Sequence, residues 1–335
     1  MNMGYELIYK EKNLDKFWSL FDSIKSQYNF IGSRYHPIVL DQYLIRAEDS
    51  GYTIKDMSCI LTFNGQAYMA FLGALFSKGL DSTLSLFEVP CLVIDSMHIT
   101  SKQKKQIRNF LKSLLELDFD NFLVKGPNFH NSFPVLCELM LHNNAKLNIS
   151  ASRIIDLKQD EIELKKSLRK SYHSLINWGL KEMKIQIFDK NNISWEVMDK
   201  FRTLHISEAK RETRSIRTWK KQLEAIERGL AFCITAELKK ELVSAAFFSC
   251  ANNLSYYGSS ASRRDLFEKP ITHALIWQAI LESKKKGASF FDIGTTYLND
   301  VNSQMTEKEK NIAYFKDGFG GKLTLDYYIN IGKLN

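Results

Sequence analysis

Residues 230–293 read as a fixed succession of short apolar runs and one helix, and this succession constrains the fold more than any other part of the chain. Runs at 230–236, 242–250 and 254–260 are separated only by the polar turns 237–241 and 251–253. Turns this short join antiparallel neighbours. Pro270 then opens a helix that runs to Lys286 and stops at Gly287, proline suiting a first helical turn and glycine the position after the last. Residues 289–293 form a further strand of buried type. Meander, helix, strand is a mixed α/β order.

The first half follows the same order in outline. Residues 13–25 place Leu14, Phe17, Leu20, Phe21 and Ile24 on one helical face behind Asn13, a suitable N-cap. A short helix at 40–49 follows. Runs at 58–63 and 66–75 flank Asn64-Gly65, a pair that favours the tight turn of a hairpin. Strands at 84–94 broken at Pro90, a helix at 101–117 with a basic first half, and a short strand at 121–124 complete this half. From about residue 151 the pattern restarts. Residues 156–183 read as one long helix, with Leu164, Leu168, Tyr172, Leu175 and Gly179 on one face and Lys165, Lys166, Arg169, Lys170 and His173 on the other. A strand at 184–188 and helices at 195–209 and 215–228 lead into the meander. A short helix at 311–317 and a strand at 322–331 end the chain. No residue-level repeat accompanies this doubling. A length of 335 residues suits about two domains, here 1–150 and 151–335.

Apolar residues at 44% and charged residues at 25% are globular proportions and exclude a disordered or collagen-like chain. No apolar run approaches membrane-spanning length, and residues 1–6 lack a basic-then-apolar leader, so the expected location is the cytoplasm. Five cysteines (59, 91, 137, 233 and 250), odd in number and never closely paired, read as reduced core thiols. The excess of 46 basic over 38 acidic side chains favours anionic partners: phosphates, nucleotides, tRNA or an acidic membrane surface. There is no H-E-x-x-H, C-x-x-C or EF-hand spacing, so no metal is expected. A G-x-S-x-G elbow, a P-loop and a G-x-G-x-x-G after a strand are also missing.

Two segments carry candidate chemistry. Phe315-Lys316-Asp317-Gly318-Phe319-Gly320-Gly321 sets a lysine beside three glycines. It reads either as a helix end turning into the last strand, or as a turn that aims Lys316 at a phosphate or a developing oxyanion. Tyr256-Tyr257-Gly258-Ser259-Ser260, with Arg263, Arg264 and Lys269 before the Pro270 helix, reads either as a solvated loop or as an anion site at a helix N-terminus. Asp292 at the end of its strand is a base or a capping partner. The basic face at 165–173 is either solvated or a phosphate contact. Tyr256 and Tyr257 alternate, so one faces the core and the other a cleft. Trp195, Trp219 and Trp277 fit core stripes.

Taken together, Tyr256-Tyr257, the Pro270 helix with Trp277, Phe291-Asp292-Ile293-Gly294 and Phe315-Lys316-x-Gly318-Phe319-Gly320-Gly321 resemble the FemAB family of the GNAT acyltransferase superfamily. Leu168–Tyr172 resembles the start of that family's second domain, and His205–Arg214 the helix ending in its Lys/Arg pair. The likeness spans about 165–325. It implies two GNAT-like domains, each a largely antiparallel mixed sheet flanked by helices, with a cleft between them. It implies an aminoacyl group moved from aminoacyl-tRNA to an amino group of an anionic precursor of the cell envelope, such as peptidoglycan, of a polysaccharide, or of a sugar nucleotide. The acceptor would be a small molecule or lipid-linked, with transient contact at the inner membrane surface and no cofactor beyond the donor.

Lys316, with Phe315, inherits the oxyanion role. Arg211, beside Lys210, inherits a contact to substrate diphosphate. Tyr256, Arg263, Asp292, Gly318 and Gly320 are further substrate-binding candidates, with Arg34 a candidate by loop position. Residues 263–269 depart from the glycine-containing loop that holds CoA pyrophosphate in GNAT enzymes, which counts against an acyl-CoA donor. An acyl-CoA-dependent N-acyltransferase and a non-catalytic nucleic-acid or envelope-precursor binding module are the competing readings.

Overall fold

The computed structural model describes residues 4–28, 35–127, 133–251, 253–298 and 305–332. The chain divides into two compact units: Met1–Ile31, Tyr43–Ile149 and Tyr327–Asn335 make the first, Gly32–Gln42 and Ser150–Asp326 the second.

The first unit contains β1 (Tyr5–Tyr9), α1 (Leu14–Lys25), the end of α2 (Pro37–Asp49), β2 (Thr53–Asp56), β3 (Cys59–Phe63), β4 (Gln66–Leu72), β5 (Ala74–Lys78), β6 (Asp81–Ser85), β7 (Cys91–Asp95), α3 (Ser101–Leu115), β8 (Asn121–Lys125) and α4 (Val135–His142). Asn13 caps α1 as expected, accepting from the Lys16 amide at 3.0 Å. Asn64 and Gly65 both take positive φ, 52° and 77°, and close the β3–β4 hairpin. β4 pairs antiparallel with β7, and β7 pairs parallel with β8. Phe71, Phe110 and Phe122 meet edge to face in the core that α3 and α4 cover. Asp95, which ends β7, is buried. Its Oδ2 accepts from the Val135 amide at the start of α4, its Oδ1 has no partner among the described residues, and its backbone carbonyl accepts from the Tyr28 hydroxyl.

The second unit contains most of β9 (Lys146–Asp156), then α5 (Glu161–Lys166), α6 (Tyr172–Glu182), β10 (Lys184–Phe188), α7 (Trp195–Ala209), α8 (Ile216–Glu227), β11 (Ala231–Leu238), β12 (Glu241–Ala251), β13 (Leu254–Ser262), a single 3-10 turn (Arg264–Leu266), α9 (His273–Lys285), β14 (Phe290–Thr295), α10 (Glu307–Asp317) and the start of β15 (Lys322–Gly332). Its strands lie in the order β9-β14-β13-β12-β11-β10, all antiparallel except β13 and β14. Strand alternation sends Ala246, Phe248 and Tyr257 to one face, under α6 and α9, and Ala245, Phe247 and Ala261 to the other, under α7 and α8. Trp219 and Trp277 are buried in these two layers. At the far end of β15, Ile329 pairs with Val124 within the first unit.

Two expectations need correction. Residues 156–183 are not one helix: β9 runs to Asp156, Asp160 caps the short α5, and 167–171 form a turn before α6. The Arg169 amide donates to the Gly318 carbonyl at 2.8 Å, a tertiary bond that replaces a helical one. Pro270 lies three residues before the first residue of α9, its carbonyl accepting from the His273 amide in the preceding turn. The apolar pattern alone did not reveal β1, β2 or α4. All five cysteines are free. Burial pushes their thiols up, so they are poor nucleophiles. Among the described residues no helix is long and apolar enough to cross a membrane.

Candidate active site

The parallel strands β13 and β14 share only the register Leu254↔Phe290 to Tyr256↔Asp292. Beyond it both strands are irregular. β13 bulges against β12 between the Ala246 and Phe248 pairs, and β14 bulges against β9 between Asp292 and Gly294. Gly294 takes φ +102°, and its amide donates to Asp292 Oδ1 at 2.8 Å. The Lys316 amine fills the space over this glycine. A methyl group on Gly294 would stand 2.6 Å from Lys316 Nζ, which lies 5.6 Å from the centroid of the buried Tyr257 ring. Tyr257 donates its hydroxyl to Ser260 Oγ at 2.8 Å. A half-buried ammonium thus stands where two parallel strands stop pairing.

The lysine comes from the last turn of α10, which is fixed from both ends. Thr306 and Glu309 form a capping box at its start. At its end the Tyr172 hydroxyl donates to the Phe315 carbonyl at 2.8 Å, and Arg169 Nη2 donates to the Tyr314 carbonyl at 2.9 Å. The Arg169 guanidinium also lies 3.8 Å from the Tyr314 ring centroid. Asp317 Oδ1 accepts from Thr296 Oγ1 at 2.6 Å and from Arg153 Nε at 3.1 Å. Of the basic face expected at 165–173, Lys166 pairs with Glu163 and Arg169 clamps α10, whereas Lys165 and Lys170 are exposed.

The glycines make this docking possible. A Cβ on Gly318 would stand 2.2 Å from Tyr172 Cζ, and one on Gly320, at φ +81°, 2.7 Å from the Ser167 carbonyl. Close packing of the turn on 167–172 accounts for both positions. Gly318→Ala is expected to destabilise the protein by about 1–3 kcal/mol through overpacking and to shift Phe315-Lys316 with it. Denaturant unfolding checks this, and a midpoint equal to wild type would show that the Tyr172 ring yields.

Phe315, Phe319 and Tyr172 surround His273, the first residue of α9. Burial lowers the imidazole pKa to about 4, with the Pro270 carbonyl opposing this and the Arg169 charge reinforcing it. His273 is neutral at pH 7. The unfolded state takes up a proton first as pH falls from about 6.5 to about 4, so this residue makes stability fall across that window. His273→Phe should flatten that limb of a pH–stability curve; an unchanged slope there would assign the acid loss to other groups.

Other expected site residues lie elsewhere. Lys210 is exposed and caps α7 in the left-handed conformation, with Arg211 exposed beside it. Arg263 is held by Glu241 at 2.5 Å and by Asp265 at 2.6 Å, so its charge is matched within the protein. Glu208 Oε2 accepts from the Arg264 amide at 3.1 Å and joins this loop to the end of α7. Tyr256 is half-buried and sits beside Asp292 in the strand register. Arg34 lies outside the described residues. Phe315, Lys316, Gly318, Gly320, Asp292 and Tyr256 thus belong to one region, whereas Lys210, Arg211 and Arg263 gather around the α7–α8 turn and the loop before α9. Sequence reasoning missed the roles of Tyr172, Arg153, Thr296 and His273. Tyr172 was legible as an apolar position of a helical stripe, but its hydroxyl bond spans 143 residues.

Much of the backbone of the loop before α9 is hydrogen-bonded within the protein. The amides of Arg264, Leu266, Phe267, Lys269, Ile271 and His273 all donate within the protein, and Pro270 has none.

No protein-family model and no curated protein matches the chain. Solved structures do. FemX is 12% identical with a TM-score of 0.59, the match covering 90% of this chain and 96% of that one. The C-terminal domain (DUF2156) of a putative lysylphosphatidylglycerol synthetase from Agrobacterium fabrum is 9% identical with a TM-score of 0.61, covering 96% and 92%. A tandem GNAT protein from the clavulanic acid biosynthesis pathway is 9% identical with a TM-score of 0.55, covering 99% of each chain. At these identities the likeness is one of fold: the chain has a mixed α/β fold of the tandem GNAT type.

Proposed function

We propose that the protein is an acyltransferase that moves an aminoacyl group from aminoacyl-tRNA to an amino group of an anionic envelope, polysaccharide or sugar-nucleotide precursor. The observation that carries this reading is the Lys316 ammonium, held over Gly294 and beside Tyr257 by a helix end clamped on Tyr172, Arg169 and Thr296. The neutral amine of the acceptor attacks the ester carbonyl. The carbonyl oxygen gains negative charge, which Lys316 stabilises. As the intermediate collapses, the carbon–oxygen bond to the tRNA ribose breaks, and the proton lost by the amine goes to the leaving ribose hydroxyl. An activated ester needs alignment and oxyanion stabilisation, not a side-chain nucleophile. Arg211 and Lys210 are proposed contacts for the acceptor's phosphates, and Tyr256 and Asp292 line the approach to the reacting carbonyl.

The loop before α9 has no glycine at 263–269, and six of its amides already donate within the protein, which favours tRNA over acyl-CoA as donor, because a pyrophosphate is best gripped by converging free amides. One fold neighbour is the C-terminal domain of a putative lysylphosphatidylglycerol synthetase, a name that joins an amino acid to an anionic lipid, which supports the choice of an anionic acceptor. The test is transfer of labelled amino acids from bulk charged tRNA to a panel of amine-bearing envelope precursors and sugar nucleotides, read as base-stable amide product. Label appearing with the wild type and not with Lys316→Ala supports the reading. Transfer of acetyl from acetyl-CoA, with none from tRNA, would replace it with an acyl-CoA-dependent N-acyltransferase. No transfer from either, with retained acceptor binding, would replace it with a binding module.

A further inference from the structure

In the first unit, α3 is charged against its own dipole. Its first turn holds no acid, and Lys102, Lys104 and Lys105 stand at its positive end. By contrast, α5 and α10 each place two glutamates in that turn. A capping box of Thr100 and Gln103 starts α3 instead. Lys104 is matched by Glu138 at 3.3 Å. Lys102, Lys105, Arg108 and Lys112 are exposed, and among the described residues no carboxylate pairs with them. At about 3.6 residues per turn these four side chains fall within an arc of about 120° and extend about 15 Å along the helix. The buried Ile107, Phe110, Leu111 and Leu114 take the opposite side. Neighbouring cations of the row are three or four residues apart, so each pair repels. The next acids in the chain, Glu116 and Asp118, lie at and beyond the C-cap.

We infer that this face of α3 is a docking surface for the phosphate backbone of an RNA duplex, the stem of the donor tRNA. Dipole and repulsion both oppose such a row, and a run of phosphates offsets both. A row about 15 Å long suits successive phosphates, not the single diphosphate of a small acceptor. An interfacial helix needs an apolar face. Here the four core residues are buried and Leu115 packs half-buried on the same core, so a bilayer finds nothing to take up. An acidic protein is a poorer partner, because lysine is depleted and aromatic residues are enriched where proteins meet. A single strand has no exposed ring on this helix to stack on, which leaves phosphate contacts to a duplex. Such contacts read no sequence and do not sense the aminoacyl ester. That the duplex belongs to tRNA rests on the reaction proposed above; the surface is tested apart from it.

The probes are bulk uncharged tRNA and a hairpin RNA duplex, retained on filters over a series of salt concentrations. The wild type is compared with a variant carrying Lys102→Gln, Lys105→Gln, Arg108→Gln and Lys112→Gln. The variant is expected to bind both RNAs roughly 10²-fold more weakly near physiological salt, with a slope of log affinity against log salt shallower by about three to four. Its unfolding temperature should hold or rise, because the changes relieve repulsion and the clash with the dipole. Its ratio of charged to uncharged tRNA retained should equal that of the wild type. A control of the same net charge, with Lys181→Gln, Lys190→Gln, Lys200→Gln and Lys285→Gln at exposed positions of the second unit, should bind close to wild type. A control as weak as the α3 variant overturns the inference in favour of net charge alone. So does an α3 variant that keeps wild-type affinity and slope. So does one that keeps RNA but no longer floats with phosphatidylglycerol vesicles that carry the wild type, which would make this a bilayer surface. Equal RNA binding with equal transfer from charged tRNA removes the surface and leaves the reaction. RNA binding lost in the α3 variant, with no transfer by either protein, removes the reaction and leaves the surface.

Discussion

Lys316→Ala is expected to lower turnover by roughly 10²–10³-fold, the effect of removing one strong oxyanion contact, worth about 3–4 kcal/mol of transition-state stabilisation. Binding of substrate should change far less, so the loss should fall on kcat more than on KM. The unfolding midpoint should stay close to wild type, because what holds α10 is Tyr172, Arg169 and Asp317, not the lysine. Lys316→Arg should recover part of the activity, since a guanidinium keeps the charge but spreads it over a plane. Gly294→Ala makes a useful companion. Its methyl group would stand 2.6 Å from Lys316 Nζ on a backbone at φ +102°, so it displaces the amine without removing it. Equal activity of wild type and Lys316→Ala would remove the lysine from the mechanism.

The second large effect lies in the first unit and concerns stability. Asp95 is buried, and desolvation raises its pKa to about 7; the Glu138 charge adds to this, and the Val135 amide opposes it. In the unfolded chain the same carboxyl has its ordinary value near 4. Between about pH 4 and pH 7 the folded state therefore holds a proton that the unfolded state has released. The stability this proton maintains at low pH is lost as pH rises through that window and stays lost above it, on the order of 3–4 kcal/mol in all. Asp95→Asn keeps an acceptor for the Val135 amide and abolishes the ionisation. It should flatten the pH dependence between pH 4 and pH 7 and raise stability at pH 8 by about 1–2 kcal/mol, the remainder being offset by amide hydrogens without partners. Chemical denaturation across this range checks it, and identical pH slopes for wild type and variant would refute it.

Much of the fold was readable because it is written in local signals. Asn13 before an apolar helical stripe, Asn64-Gly65 between two apolar runs, and Gly287 after a long helix each did in the structure what their chemistry favours. The failures share a cause. The stripe Leu164, Leu168, Tyr172, Leu175 is helical in spacing, but a carbonyl at Gly318, far away in sequence, captures the Arg169 amide and splits the helix. The site was legible in part for the same reason. Lys316 beside three glycines marks an unusual backbone, yet the sequence does not say that the glycines accommodate Tyr172 and Ser167. Arg263 looked available to an anion, and only the folded chain shows Glu241 and Asp265 closing on it. Asp95 gave no sequence signal, since burial of a carboxylate at a strand end is decided by what packs over it.

The most direct test of the proposed reaction is filter binding of the purified protein to bulk charged tRNA at fixed, near-physiological salt, with uncharged tRNA and excess acetyl-CoA as competitors. Fixed salt matters because basic proteins retain RNA non-specifically when salt is low. A transferase that draws on aminoacyl-tRNA is predicted to prefer the charged form and to ignore acetyl-CoA. Equal retention of charged and uncharged tRNA, or displacement by acetyl-CoA, would contradict it.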